Sequence, residues 1–369
     1  MENNHLTYFK VENFKKFDSL EVTDIGQFNL IVGDNNVGKT CLLEALLFDE
    51  EPSQLVCNFH LALQKRGLIF ERKKITTEVN GKTITEIIAP KENYFIGNII
   101  KNCKVNISTT FSYKKNNNLL MILPVSLILM DNNSIDSELN YKQGAVQKIN
   151  ENKFNNEYIT SVRIKTVHNI SVYYYFEGIL NFPLVSFNDN AIENETLLIF
   201  ESLKTKKEKG ILLQALKVIN SKIKDIEFRA NFNDLKSVFL ISYENQDEFV
   251  PLNYMGDGFK RIFYIVLKMI SLRGKRIMID EIEIGIHHSK MKDFWVNIFE
   301  VCKELKVQLF ATTHSQECAE DYLNAVKKLH IEKSSRLITL RSERNNTVSF
   351  TKSITELESA IENDFNFRG

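Results

Sequence analysis

Gly33-Asp34-Asn35-Asn36-Val37-Gly38-Lys39-Thr40 satisfies G-x-x-x-x-G-K-[ST] at every fixed position. Just upstream, Phe28-Asn-Leu-Ile-Val32 reads as a short apolar strand, and just downstream Cys41–Phe48 has the composition and spacing of a helix. Strand, glycine-rich turn and helix start, in that order, are the context a phosphate-binding P-loop requires. In such a loop the backbone N–H groups and the positive end of the helix cradle a polyphosphate. Gly33, Asn35, Asn36, Val37, Gly38, Lys39, Thr40 and Cys41 are therefore the candidate nucleotide contacts. Lys39 is placed to reach the β- and γ-phosphates, and the Thr40 hydroxyl to hold Mg²⁺. The competing reading is a chance glycine turn before a helix, which the order of the flanking elements argues against.

At 369 residues the chain is long enough for two domains, or for one α/β domain with a sizeable insertion. Hydrophobic residues make up 43% and charged residues 25%, enough apolar material for a real core. The net charge is zero, so no global basic excess announces non-specific DNA binding, although a local basic patch stays open. The five cysteines are scattered and form no C-x-x-C pair, the usage expected of reduced core thiols in a cytoplasmic protein. Met1–His5 lacks the basic and then apolar blocks of a signal peptide. The apolar run Leu119–Met130 contains Pro124 and is too short for a membrane span; it suits a buried strand or strand pair.

Along the chain, Tyr8–Asn13 and Ser19–Val22 alternate in hydrophobicity, as paired strands do, and lead into Phe28–Val32. Acidic residues and a proline at Asp49–Pro52 end the first helix. Residues 53–190 hold β-rich runs separated by Asn-rich turns; the Tyr173–Phe176 cluster is read as buried strand aromatics over a base-stacking surface. Glu193–Lys224 has helical periodicity, interrupted by the lysine-rich Lys204–Lys209, which is read as a solvated helix end over a phosphate contact. Asp225–Ala230 and Ser237–Glu244 read as strands, and no heptad run or internal repeat is present.

A second half of a nucleotide site follows. Arg276-Ile-Met-Ile-Asp280-Glu281 is an apolar strand ending in two carboxylates, a pattern in which the Asp orders Mg²⁺ and the Glu polarises the attacking water as general base. Val307–Ala311 is another strand, ending Thr312-Thr-His314-Ser315, so His314 falls where ligands collect in open α/β sheets. Gly256-Asp257-Gly258 opens the apolar helix Ile262–Leu272, a second anion-binding turn whose alternative is a plain glycine cap.

Walker A, a glycine signature before a helix, Asp-Glu after a strand and a switch-position histidine occur in this order in ABC-type ATPases. More closely, Met255–Arg261, Ile279–His287 and Phe310–Cys318 resemble the ATPase domain of the OLD family, as does Val11–Phe17 at the opening strand and turn. The resemblance implies an α/β fold: an ABC-type P-loop NTPase head with a mostly β, partly helical insertion between Walker A and the signature. It divides the chain into residues 1–52 (Walker A part of the head), 53–224 (insertion) and 225–369 (signature, Walker B and switch histidine). It also implies heads paired head-to-tail as a homo-oligomer, with ATP held by Lys39 and Thr40, Mg²⁺ by Thr40 and Asp280, Glu281 as base, His314 as switch, and Gly256, Asp257 and Gly258 acting in trans. Gly256 stands where a serine commonly contacts the γ-phosphate, so backbone N–H groups alone would make that contact.

The 55 residues after His314 leave no room for the Toprim nuclease of OLD nucleases. Glu356, Glu358, Glu362 and Asp364 sit there at helical spacing, as on a solvated face. A stand-alone ATPase of this type resembles the sensor subunits of bacterial anti-phage systems such as PARIS. That resemblance implies a separately encoded effector and a phage-derived trigger, with no membrane partner. The alternative is a RecF-like DNA-repair ATPase that clamps DNA, with an ATP-dependent scaffold of negligible turnover as a third reading.

Overall fold

A computed structural model describes residues 5–48, 180–186, 193–232, 235–344 and 346–356. Between 49 and 179 it describes positions 54, 58, 61, 62 and 65 and the backbones of seven strands. The Tyr173–Phe176 cluster and the acidic positions Glu358, Glu362 and Asp364 lie outside the described residues.

The chain opens with a hairpin, β1 (Leu6–Phe14) and β2 (Phe17–Val22), paired antiparallel. It then enters β3 (Phe28–Gly33), all six of whose residues are buried. Such a continuous apolar run belongs to a strand covered on both faces. Helix α1 (Lys39–Ala45) follows the Gly33–Thr40 loop. Next come β4 (Lys73–Val79) and β5 (Lys82–Ile88), a two-stranded unit. After them come β6 (Asn106–Lys115), β7 (Leu119–Met130), β8 (Glu138–Gln143), β9 (Gln147–Lys148) and β10 (Thr160–Lys165). These five extend the β1–β2 hairpin into a seven-stranded sheet through pairing of β6 with β1. Leu119–Met130, containing Pro124, is thus a single strand.

The head is built on a second, six-stranded sheet. Its strands are β3, β11 (Leu184–Val185), β15 (Arg276–Ile279), β16 (Gln308–Thr312), β17 (Ser335–Glu343) and β18 (Asn346–Lys352). The order is β11-β15-β16-β3-β17-β18, parallel except for the terminal β17–β18 hairpin. Part of the 53–224 stretch is therefore built into the head, because β11 supplies an edge strand and Val185 is wholly buried. A smaller sheet of β12 (Ile223–Phe232), β13 (Leu235–Tyr243) and β14 (Val250–Pro251) precedes the signature.

The period-2 alternation of strands sorts the central sheet's side chains into two cores. On one face Phe28, Leu30, Val32, Ile277, Ile279, Leu309 and Ala311 meet α2 (Glu193–Glu201), α3 (Lys206–Lys217), α4 (Asp257–Ser271), α5 (His288–Leu305) and α6 (Gln316–Lys328). On the other, Ile31, Met278, Phe310, Ile338 and Leu340 meet α1 and the β1–β2 hairpin. From Ile262 to Ile270 every residue of α4 is buried, which is why that stretch reads as apolar all round. Its Lys268, wholly buried, pairs with Glu195 of α2 at 2.7 Å, and Tyr264 donates to the same carboxylate at 2.8 Å. Burial alone would raise the Glu195 carboxyl, but Lys268 and Lys65 outweigh it and hold it below the ordinary carboxylate range. The lysines of Lys204–Lys209 behave as a helix end. Thr205 and Glu208 form a capping box, Lys207 pairs with Glu304 and Lys209 with Asp225. Among the described residues no helix is long and apolar enough to cross a membrane.

Candidate active site

Strand order brings the motifs together. β3, β15 and β16 run parallel, so their C-terminal ends open on one edge of the sheet, where α/β proteins bind ligands. Gly33 leaves β3 at φ 146°, and a Cβ there would lie 2.4 Å from the Leu340 carbonyl oxygen. Gly38 has φ 112°, and a Cβ there would lie 2.9 Å from the Phe17 ring. Both positions demand glycine for conformation and for space at once. The loop is braced from both sides. Lys16 of the β1–β2 turn donates to the Asn36 carbonyl, and the Thr347 hydroxyl of β18 donates to the Val37 carbonyl at 3.0 Å. Asn35 and Asn36 are exposed, Val37 is buried beneath them, and Cys41 is half-buried in α1.

Lys39 is 5% exposed, with its ammonium donating to the Gly33 carbonyl at 2.6 Å and the Asp34 carbonyl at 2.9 Å. Burial lowers its pKa, opposed by the negative charges of Asp280, Asp34, Glu281 and Glu283. A cation kept in a loop of backbone donors is well matched to a polyphosphate.

Ile279 pairs with Ala311 across β15 and β16, so Asp280 and Thr312 emerge side by side. The Thr312 hydroxyl donates to Asp280 Oδ1 at 2.6 Å and accepts the Glu281 N–H at 2.8 Å. Asp280 Oδ2 accepts from the Thr40 hydroxyl at 2.9 Å, which joins the two predicted halves of the site. The Thr40 hydroxyl and the Asp280 carboxylate are the hard oxygen donors that Mg²⁺ takes, and both stand at the loop.

Glu281 has a left-handed backbone, φ 48°, uncommon for a residue other than glycine. Its carboxylate lies 3.7 Å from His314 Nε2. Burial raises its pKa, reinforced by Asp280 and Glu283 and opposed by His314 and Arg261. A carboxylate made more basic while half-exposed to a cleft suits a general base. That cleft, about 700 Å³, is lined by Gly33–Asn35, Glu281, Glu283 and Thr313–Gln316, a size fit for a nucleotide.

Gly256, Asp257 and Gly258 do not line this cleft. Gly256 caps α4 without a side-chain bond, Asp257 is exposed, and Gly258 lies so close to Gly285 that a Cβ would come 2.1 Å from the Gly285 carbonyl oxygen. The Gly256–Gly258 turn is thus docked on the loop that follows Asp280 and Glu281, with Gly285 at φ 80° to permit the approach.

Three site residues escaped the sequence reading. Arg261, 2% exposed, spans this junction: its guanidinium donates to the carbonyls of Ser186 at 3.2 Å, Asp280 at 2.9 Å and Glu281 at 3.0 Å. Thr312 and Glu283 are the others. A lone arginine in an apolar helix and a threonine at a strand's end were the available signals, but neither names a partner.

The chain has relatives in sequence and in fold. A Helicobacter pylori (strain ATCC 700392 / 26695) protein named ATP/GTP phosphatase is 23% identical over 380 residues, covering 98% of this chain and 99% of that protein. An uncharacterized Methanocaldococcus jannaschii protein is 33% identical over 99 residues, 27% of this chain and 85% of that one. In fold, the chain is similar to an Smc head bound to the C-winged helix domain of ScpA, with TM-score 0.52 and 10% identity over 96% of this chain and 99% of that one. A Pyrococcus furiosus Smc head structure with an extended coiled coil gives TM-score 0.50 and 8% identity over 98% and 100%. The fold is accordingly that of the ABC-type ATPase heads. The AAA ATPase domain family model matches residues 5–319, spanning the P-loop, Asp280–Glu281 and His314, and the chain belongs to that family of ATPases.

Proposed function

We propose that the protein is a Mg²⁺-dependent ATP-hydrolysing switch whose site is completed by a second copy. The observation that carries this reading is the hydrogen-bonded line from Thr40 through Asp280 and Thr312 to Glu281, with His314 beside it. In this reading the loop from Gly33 to Cys41 and the Lys39 ammonium bind the polyphosphate, and Thr40 and Asp280 hold the metal. Mg²⁺ bound there would neutralise charge on the β- and γ-phosphates. Glu281 takes the proton of the attacking water, and the neighbouring His314 orients that water or the γ-phosphate. Gly256, Asp257 and Gly258 do not line their own cleft, and in this reading they serve the cleft of a head-to-tail partner.

The biological setting follows from the sequence resemblance: a cytoplasmic sensor that responds to a phage-derived trigger and controls a separately encoded effector. Because the Helicobacter relative is named for both ATP and GTP, both nucleotides belong in the assay. The test is turnover of ATP and GTP with Mg²⁺, with and without duplex DNA at low and physiological salt, together with the assembly state of Glu281→Gln. Mg²⁺-dependent turnover and ATP-driven assembly of Glu281→Gln support the reading. A Glu281→Gln protein that binds ATP and stays monomeric refutes the shared site. Strong DNA stimulation that fades with salt replaces the sensor reading by the DNA-clamp one.

A further inference from the structure

His314 stands between two fixed neighbours. Thr313 is tied to β3 through its N–H to the Ile31 carbonyl at 3.2 Å, and Ser315 caps α6 by accepting the Cys318 N–H at 3.1 Å. The N–H of His314 itself donates to Glu283 Oε1 at 3.0 Å. Glu283 is rigidly mounted: the Ile282 N–H donates to the Thr312 carbonyl at 3.1 Å, Ile284 N–H to the Glu281 carbonyl at 3.1 Å, and Ile286 N–H to the Glu283 carbonyl at 3.0 Å. One carboxylate therefore bridges the loop that carries Glu281 and the loop that carries His314. Its second oxygen, Oε2, is buried in the wall of the cleft with no hydrogen-bond partner among the described residues. A buried carboxylate oxygen costs free energy unless a donor reaches it.

We propose that Glu283 is a positioning residue for hydrolysis: it fixes the main chain of His314 so that the imidazole stays aimed at Glu281 and the attacking water. The inference rests on the reading of Glu281 and His314 given above. Its logic is geometric. Hydrolysis needs the reacting groups held to within a fraction of an ångström, and a displacement of about 1 Å costs on the order of 100-fold in rate. Glu283 is the brace between the two loops that must keep that distance. It bonds the backbone of His314, so it acts whatever the ring's charge.

The experiment is a double-mutant cycle on Glu283 and His314, reading kcat and KM for ATP, fluorescent-nucleotide affinity and thermal stability. Glu283→Ala should lower kcat by about 10- to 100-fold and leave KM and nucleotide affinity within about twofold. Glu283→Gln, whose amide oxygen still accepts the His314 N–H, should recover at least about fivefold of that loss. Once the imidazole is gone its brace has nothing to position, so Glu283→Ala/His314→Ala should be no slower than His314→Ala alone. If Glu283→Ala folds poorly, the same cycle run with Glu283→Gln gives a smaller loss that must likewise vanish in the His314→Ala background. Losses that multiply, a raised KM at unchanged kcat, or a Gln variant no better than Ala would each overturn the proposal. Full activity of His314→Ala would instead overturn the underlying assignment of His314.

Discussion

Arg261 offers the sharpest perturbation, because one buried side chain joins α4 to the loop that carries Asp280 and Glu281. Its guanidinium bonds three carbonyls, those of Ser186, Asp280 and Glu281. Arg261→Met keeps most of the volume and removes every donor. Each hydrogen bond to a charged group contributes about 1.5–3 kcal/mol, yet the sum overstates the loss. The Glu281 carbonyl keeps the Ile284 N–H at 3.1 Å, and removing a buried cation relieves its desolvation. We therefore expect about 3 kcal/mol of destabilisation, a fall in Tm of about 6–12 °C for a head of this size. Activity should fall for a separate reason. Glu281 is held in a left-handed conformation that costs on the order of 1–3 kcal/mol, and Arg261 grips its carbonyl. Freed to relax, Glu281 should leave its working position often enough to lower kcat by about 5- to 150-fold. Arg261→Lys, a point charge without the fork, should recover part of the stability and little of the rate. Denaturation curves and steady-state ATP turnover on the same preparations decide the matter. A variant that loses stability but keeps kcat within about threefold refutes the clamp, and Lys restoring both would show that charge alone suffices.

Gly258→Ala would drive a Cβ to within 2.1 Å of the Gly285 carbonyl oxygen, so the loop after Walker B must move. We expect about 1–3 kcal/mol of destabilisation with reduced turnover, and an unchanged melting curve would contradict the packing. Thr312→Val leaves the Glu281 N–H and Asp280 Oδ1 without their partner, which should cost about 1–3 kcal/mol and most of the activity, while Thr312→Ser keeps both. With Glu281 as the proposed base, which must be ionised to act, the acid limb of the pH–rate profile should lie above the ordinary glutamate range, since burial and Asp280 raise its pKa. By the same sign, a carboxyl whose folded pKa is raised weakens the fold where it is ionised. Glu281→Gln should therefore raise Tm at neutral pH, with the gain fading as pH falls through the raised folded pKa and gone once pH is below the ordinary glutamate range.

The legible part of this protein was local. Gly33 to Thr40 announces itself because its two fixed glycines answer backbone constraints, φ 146° at Gly33 and φ 112° at Gly38, that few other residues meet, and Lys39 and Thr40 follow them at a helix start. Asp280–Glu281 and His314 were readable because each ends an apolar strand, and such ends collect on one edge of a parallel sheet. The β1–β2 hairpin was likewise carried by alternation within a few residues, and β12 and β13 by their apolar runs.

What pattern cannot carry is distance across the chain. The Thr40 hydroxyl meets Asp280 only because β16 lies between β3 and β15, a strand order that no short stretch encodes. Arg261 reads as a stray charge in an apolar helix until folding sets the carbonyls of Ser186, Asp280 and Glu281 around it. Leu184–Val185, too short to stand out, becomes the edge of the central sheet through pairing with Met278 and Ile279. Glu283, two residues past Glu281, finds the backbone of His314 across a fold rather than along a sequence. Backbone conformation and strand periodicity are fixed by neighbours in the chain, so the sequence alone determined the motifs. Hydrogen bonds between motifs depend on which strands pack side by side, and only the tertiary structure decided those.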